Sequence, residues 1–345
     1  MPHRTFLWFI LPSAIAMLLF IAAPLVSILV QSLHVAHPQV LEEVESCSPF
    51  GGCTTETRID TEAMAELRAE EPLGRFNGLG TYLDRNHLAA DEIGAIMGTA
   101  SGPVDVVRQV YQLPFYRALI FTLGYTFLVT PLGMALGFWI ALAVNRIPAR
   151  LKGPVIFVSL LPMIITPLIG SLVIYWMTTG RGVLGALIKW VAQDPSLTIA
   201  SSGPLTWALL FSYGVWIAAP FSFIVFYAGL QTVPRDTLES AMIDGANKWE
   251  QVRFVVVPHL VPLAIFISLV QLMDNFRVLE PIIGFNAQAR ATSLSYEIYN
   301  DLQAEGGQLF GSAAATSVLT ILIVAVLLAP VLVRTWRDFS HRRVR

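Results

Sequence analysis

Apolar residues fall along this chain in six long runs separated by polar stretches: Phe6–Leu33, Tyr116–Val144, Pro154–Met177, Leu205–Leu230, Val255–Met273 and Gly311–Val333. About 20 mostly apolar residues suffice for a helix to cross roughly 30 Å of hydrocarbon. The runs therefore predict about six membrane-spanning helices and an all-α integral membrane protein. A second apolar stretch, Phe276–Phe285, follows the fifth and shortest run. The first run is about twice as long as the apolar part of a signal peptide, and no clean small-residue cleavage site follows it. It reads as an uncleaved helix. Prolines recur inside the runs, at Pro12, Pro24, Pro131, Pro162, Pro167, Pro220 and Pro262. Each frees a backbone carbonyl and bends a helix, which a membrane tolerates where neighbours or a wet cavity satisfy the freed group. Bent helices around a pathway are one reading. The other is that membrane helices carry more proline than soluble ones.

Composition agrees. Of 345 residues, 55% are hydrophobic and 13% charged, where a soluble domain carries about 25% charged. The net charge of −2 gives nucleic acid nothing to bind. The placement of charge is more informative. Arg4, Arg146, Arg150, Lys152, Arg235, Lys248, Arg253, Arg334, Arg337, Arg342, Arg343 and Arg345 fall on one set of segments. The short loops of the other set hold Arg181, Lys189 and Arg290. Lys and Arg favour the cytoplasmic side, so both termini are expected in the cytoplasm of a bacterial inner membrane, which an even number of spans allows.

Residues 34–115 then lie outside, between the first span (1–33) and a membrane core (116–345). This segment is acidic, with Glu42, Glu43, Glu45, Glu56, Asp60, Glu62, Glu66, Glu70 and Glu71. Thr61–Glu70 reads as a helix, and Gly74–Gly80 as a turn-rich link. A docking surface for an external partner and a loose insertion both remain open. Both cysteines, Cys47 and Cys53, flank the turn-rich spacer Ser48-Pro49-Phe50-Gly51-Gly52. An oxidising exterior permits a disulfide between them. Two free thiols are the alternative, and no second ligand pair suggests zinc.

Between the fourth and fifth spans, 233–249 reads as a short helix outside the membrane. Pro234 sits near its start, Asp236 or Thr237 is placed to cap it, and Glu239 suits its positive end. Gly245 is a natural stop or a point of close backbone approach. Ala241, Gly245 and Ala246 form a small-residue surface, and Leu238, Met242 and Ile243 give apolar contacts. The segment resembles the EAA loop of permease subunits of binding-protein-dependent ABC importers: Glu-Ala-Ala, three residues, Gly, nine residues, Ile-x-Leu-Pro. Here Glu239-Ser240-Ala241 precedes Gly245, and Val255-Val256-Val257-Pro258 closes the pattern at the same spacing. Ser240 replaces an alanine, and valines replace Ile and Leu. Phe76-Asn77-Gly78-Leu79-Gly80-Thr81-Tyr82, Phe115-Tyr116-Arg117-Ala118-Leu119 and 306–315 are similar to stretches of the carbohydrate branch, in particular of the larger maltose-type permeases. The long outer segment and about thirty extra residues between Tyr82 and Phe115 depart from that pattern.

The resemblance implies a type I importer permease fold with a long extracytoplasmic insertion. It implies an ATP-driven importer of a sugar or sugar derivative, in which this chain lines half the pathway beside a second, related permease. No Gly-x-x-x-x-Gly-Lys-Ser/Thr phosphate loop is present, so this chain is not expected to be an enzyme. No cofactor is expected in it; ATP and magnesium belong to a separate pair of ATPase subunits, and an extracytoplasmic solute-binding protein delivers the cargo. The resemblance places ATPase coupling on Glu239, Ser240, Ala241, Met242, Asp244, Gly245 and Ala246. It places substrate contacts on Gln271, Leu272 and Asn275 and on Gly214, Ala218 and Phe221. Asp274 and Trp216 are further candidates, since polar groups at membrane depth are functional by default and an indole can stack on a sugar ring. The small residues 214 and 218 would leave room for a ligand. A structural alternative is that Asp274 pairs with Arg277 at a helix break, and Trp216 packs. Another reading, an ion-coupled secondary transporter, would use Asp274 and Glu280 as coupling carboxylates. Neither inverted repeats nor a metal-ligand or nucleophile–base cluster supports a transporter of that kind or a membrane enzyme.

Overall fold

The computed structural model describes residues 3–47, 53–180, 182–194, 202–304 and 309–342. The spacer 48–52, Arg181, residues 306–308, Arg343 and Arg345 lie outside them. Among the described residues, five helical stretches are long and apolar enough to cross a membrane: Trp8–Gln31, Pro114–Arg146, Gly203–Leu230, Lys248–Phe276 and Phe310–Pro330. The third expected span is not one helix. Ala149–Ile164 and Pro167–Thr178 meet at 95°. Pro167 is the cause: it disfavours helical backbone in the residue before it, and Thr166 is extended (ψ 138°), as is Ile165 (ψ 128°). Counting the bent pair as one span gives six.

Two other prolines are absorbed without a break. A π-turn, Leu18–Ala22, lies just before Pro24, and a second, Val252–Val256, just before Pro258. Widening one turn moves aside the carbonyl that the proline ring would strike and that has lost its donor. The stretch from Lys248 therefore runs on as membrane helix to Phe276, longer at both ends than its apolar run.

The described residues fall into two compact units. The first joins Met1–Tyr116 to Glu297–Ile323. Its Trp8–Gln31 helix buries none of its residues, so its apolar surface is free for lipid or another chain. The segment after it is folded. Strands Leu41–Cys47 and Cys53–Ile59 pair antiparallel, and Asp60 accepts the amides of Glu62 (3.0 Å) and Ala63 (2.9 Å) to start helix Thr61–Glu70. The link after Gly74 pairs as a two-residue strand, Arg75–Phe76 against His34–Val35. Gly74 is needed there: its φ is +88° and any Cβ would strike the Val35 carbonyl. Tyr82 donates to Ser32 (2.6 Å), tying the segment to the end of the first span. Buried His87 donates from Nε2 to the Ser312 carbonyl (3.1 Å), and the Ser312 hydroxyl donates to Asp301 (2.6 Å). Burial pushes the Asp301 carboxyl above its usual range, partly offset by Ser312 and His87.

The second unit joins Arg117–Tyr296 to Val324–Arg345. It holds two apolar centres. Phe121, Tyr125, Val129, Leu210, Tyr213 and Ile282 build one. Val144, Phe223, Phe226, Val256, Leu260 and Ile267 build the other. Pro114–Arg146 and Gly203–Leu230 contribute to both; the short helix Glu280–Gly284 closes the first, and Val257–Phe276 completes the second.

The hairpin register places Cys47 directly opposite Cys53. Opposed residues of an antiparallel pair have Cα atoms about 4.5–5.5 Å apart, inside the range a disulfide spans. We propose that the two are bridged. Alkylation of the unfolded, unreduced protein should then label neither cysteine, and reduction should expose both. Two reactive thiols before reduction would refute the bridge.

Candidate functional site

Gln271 lies on Val257–Phe276 and is 4% exposed. Its amide nitrogen donates to the Ala218 carbonyl (2.7 Å) and the Ser222 hydroxyl (2.8 Å), so both donors are used inside the protein. Its oxygen is buried without a partner. The helix opposite explains why Gln271 fits. A Cβ on Gly133 would sit 2.9 Å from that of Ala218, and one on Gly137 would sit 2.5 Å from Ser222 Cβ and 2.7 Å from the Ala219 carbonyl. Glycine at both positions lets the backbones touch, as small residues four apart do in membrane helices. Three helices are thus knotted at membrane depth, with one polar side chain spent on the knot.

The other candidates divide. Asn275, one turn beyond Gln271, donates to Thr130 (2.9 Å) and is half-buried. Leu272, Thr130 and Ser268 border a groove of about 620 Å³ between Pro114–Arg146 and Val257–Phe276, otherwise lined by apolar side chains such as Met134, Phe138 and Leu260. Asp274 is 54% exposed and pairs with Arg277 at 2.8 Å where the helix ends, as in the structural alternative. Glu280 is exposed at the start of the next short helix. Gly214, Ala218 and Phe221 share a helix face by spacing. Gly214 nevertheless leaves no room for a ligand: the Tyr125 hydroxyl and ring occupy the place of its missing side chain. Phe221 faces Phe266, centroids 6.3 Å apart. Trp216 points away from Ala218 by helical spacing and packs beside Tyr213, 5.9 Å between centroids, with 39% of its surface open.

The loop after Gly203–Leu230 has its own architecture. Its helix, Arg235–Ile243, starts before either expected cap, so Asp236 and Thr237 both lie inside it. Pro234 holds the N-cap position and no side chain caps it. Asp236 lies in the first turn and acts there through its charge. The end is closed tightly: Ala246 N–H donates to the Ala241 carbonyl (2.9 Å) and Gly245 N–H to Met242 (3.1 Å), with Gly245 at φ +85°. This left-handed stop is a glycine position. Among the described residues, nothing beyond its chain neighbours lies within 4 Å of a Cβ placed there, so the glycine serves the turn and leaves its outer side open. Asn247 then opens the next helix with a reciprocal cap. Its side chain accepts from Trp249 and Glu250 (both 3.0 Å), and Glu250 accepts from the Asn247 amide (2.7 Å). Leu238 and Ala241 turn inward, Leu238 against the second apolar centre. Glu239, Ser240 and Asp244 are exposed, as are Met242 (55%) and Ile243 (87%). The loop offers a firm helix with unspent apolar and acidic side chains.

Residues 133–345 match the family of binding-protein-dependent transport system inner membrane components. The chain belongs to that family. As a permease, it is 30% identical over 253 residues to a probable ABC transporter permease, y4oQ, of Sinorhizobium fredii, covering 69% of this chain and 76% of that one. It is 28% identical over 222 residues to the sn-glycerol-3-phosphate transport permease UgpA of Agrobacterium fabrum (62% and 73%). It is 29% identical over 247 residues to the trehalose transport permease SugA of Mycobacterium tuberculosis (71% and 76%). Among solved structures, a chain of a bacterial ABC transporter that imports alginate shares the fold, with TM-score 0.58 and 22% identity over 81% of this permease and 97% of that chain. The permease is thus a multi-pass membrane transport subunit of the type I importer fold.

Reading the sequence of the permease for polar residues missed Thr130 and Ser222, the partners of Asn275 and Gln271, and missed the glycines opposite them. The signal was there as Gly133-x-x-x-Gly137 in an apolar run. Gly137→Ala should drive a methyl group into backbone, at a cost of roughly 1–3 kcal/mol. It should lower the Tm of the detergent-solubilised protein. Gly124→Ala, on the same helix with nothing within 4 Å of the added Cβ, should not. Equal melting of the two variants would contradict the close approach.

Proposed function

We propose that this permease carries a sugar or sugar derivative inward across a bacterial inner membrane, powered by ATP hydrolysed in a separate subunit. The observation that carries the coupling half is the loop helix Arg235–Ile243: fastened at its glycine end, packed inward through Leu238, and presenting Met242 and Ile243 outward. Such a helix fits a cleft on a motor subunit. Glu239 is placed to meet a basic residue there, and the open side of Gly245 admits close approach. On this reading two ATPase subunits hold ATP and magnesium, both termini of the permease are cytoplasmic, and a second, related permease completes the pathway as a heterodimer. A solute-binding protein delivers cargo to the segment 34–115.

The relatives support the cargo class. Two transport sn-glycerol-3-phosphate and trehalose, and the structural neighbour imports an acidic polysaccharide. Within the chain, Asn275 and Asp274 are the polar groups of the set with surface to offer, with Leu272 beside them on the groove and Trp216 open for stacking. Gln271 supports them from behind, with its buried oxygen as remaining acceptor.

Proteoliposomes containing the permease, its sister permease, the ATPase and the binding protein should take up labelled sugar only with ATP. Gly245→Val puts a β-branched residue into left-handed backbone, a strain of about 1–2 kcal/mol before any clash with the motor. It should cut uptake at least about tenfold, whereas Gly245→Asn, tolerated at such stops, should retain more. Proton-driven uptake by this chain alone would overturn the assignment.

A further inference from the structure

The loop is held to the second span at two places. Near the end of Pro114–Arg146, the Gln231 amide donates to Asn145 (3.2 Å). Six residues earlier on that helix, about 9 Å along its axis, the Trp139 ring lies on that of Trp249. Their centroids are 5.9 Å apart and their planes differ by 3°. Trp249 is the second residue of the helix that Asn247 caps, four positions beyond the Gly245 stop. Both rings are more than half exposed, Trp139 53% and Trp249 57%. Two large aromatic rings thus lie parallel and offset where neither is needed to fill a core. The contact continues inward. Trp139 neighbours Phe138 (6.3 Å), and Phe138 meets the buried Phe226 edge-on (5.4 Å). Phe226 belongs to Gly203–Leu230 and to the second apolar centre.

We infer that the Trp139–Trp249 stack is a coupling strut: it makes the second span follow the loop when a motor subunit moves it. This inference rests on the importer reading above. Offset parallel rings hold together by dispersion and quadrupole complementarity while presenting flat faces to each other. Such a joint resists separation and tilt of the planes. With the Gln231–Asn145 bond it fixes the loop to the helix at two points, so rotation of the loop is passed on as well as translation. The helix that receives it carries the glycines of the three-helix knot and Thr130, the partner of Asn275. The strut thus joins the motor side to the polar side chains at depth. Trp139 and Trp249 are positioning residues and touch no substrate.

The measurement is sugar uptake per ATP hydrolysed in proteoliposomes of the complete transporter, for wild type, Trp139→Ala, Trp249→Ala, the double alanine variant and the Trp139→Phe/Trp249→Phe pair. Each alanine should lower uptake per ATP about fivefold to tenfold while ATPase activity and melting temperature stay near wild type. The double variant should be no worse than either single one, and the paired phenylalanines should restore much of the loss. Unchanged uptake per ATP in the alanine variants overturns the strut. So do losses that multiply in the double variant, as two independent interfacial anchors would give, and so does a parallel loss of ATPase activity. If wild type itself shows no ATP-dependent uptake, the importer reading fails and takes the strut with it.

Discussion

The second unit depends on one close approach: the Gly133–Gly137 face of Pro114–Arg146 lying directly on the backbone of Gly203–Leu230 near Ala218 and Ser222. In hydrocarbon, helices gain little from apolar burial against one another, because lipid is as apolar as leucine. Association has to come from tight packing and from hydrogen bonds. Here both act at one level. The glycines remove the side chains that would hold the helices apart, and Gln271 then reaches across to bond Ala218 and Ser222. The apolar centres on either side need the helix spacing this contact sets.

That frame gives meaning to the loop. A short helix swinging on flexible links could transmit no force. Arg235–Ile243 is instead closed by paired backbone bonds at Gly245, followed at once by the Asn247–Glu250 cap, and then by a helix that continues into the membrane through a π-turn. From Lys248 to Phe276 the chain is one continuous helical stretch. On the other side, Thr232 and His259 (3.1 Å) and Gln231 and Asn145 bind the loop to the fifth and second spans. A push on the exposed Met242–Ile243 corner has few soft places in which to be lost.

Much of this was readable from residues alone where a single local rule governs. The span runs follow from hydrophobicity, Thr61–Glu70 from apolar residues set among charges, and the loop helix from its glycine stop. What was not readable depends on which of several neighbours wins. Pro162 sits inside a helix and Pro167 breaks the same span, although both are prolines in an apolar run. The difference lies in the extended Ile165–Thr166 pair. Asp236 and Thr237 look like caps, but Pro234 starts the helix earlier. Gly214 reads as empty space until Tyr125 is seen to fill it. Gln271 reads as a ligand contact, whereas its donors are consumed by Ala218 and Ser222. Hydrogen-bonding capacity is visible in a sequence; its expenditure is a property of the packed helices.

The central claim is that the exposed corner of the loop helix is where a motor subunit engages. A photo-reactive amino acid placed at Ile243, 87% exposed, in the fully assembled transporter tests it most directly. The account predicts cross-linking to the ATPase subunit, with a yield that changes between nucleotide-free and ATP-bound states. Cross-linking to lipid or to the binding protein, with no ATPase adduct in any nucleotide state, would contradict it.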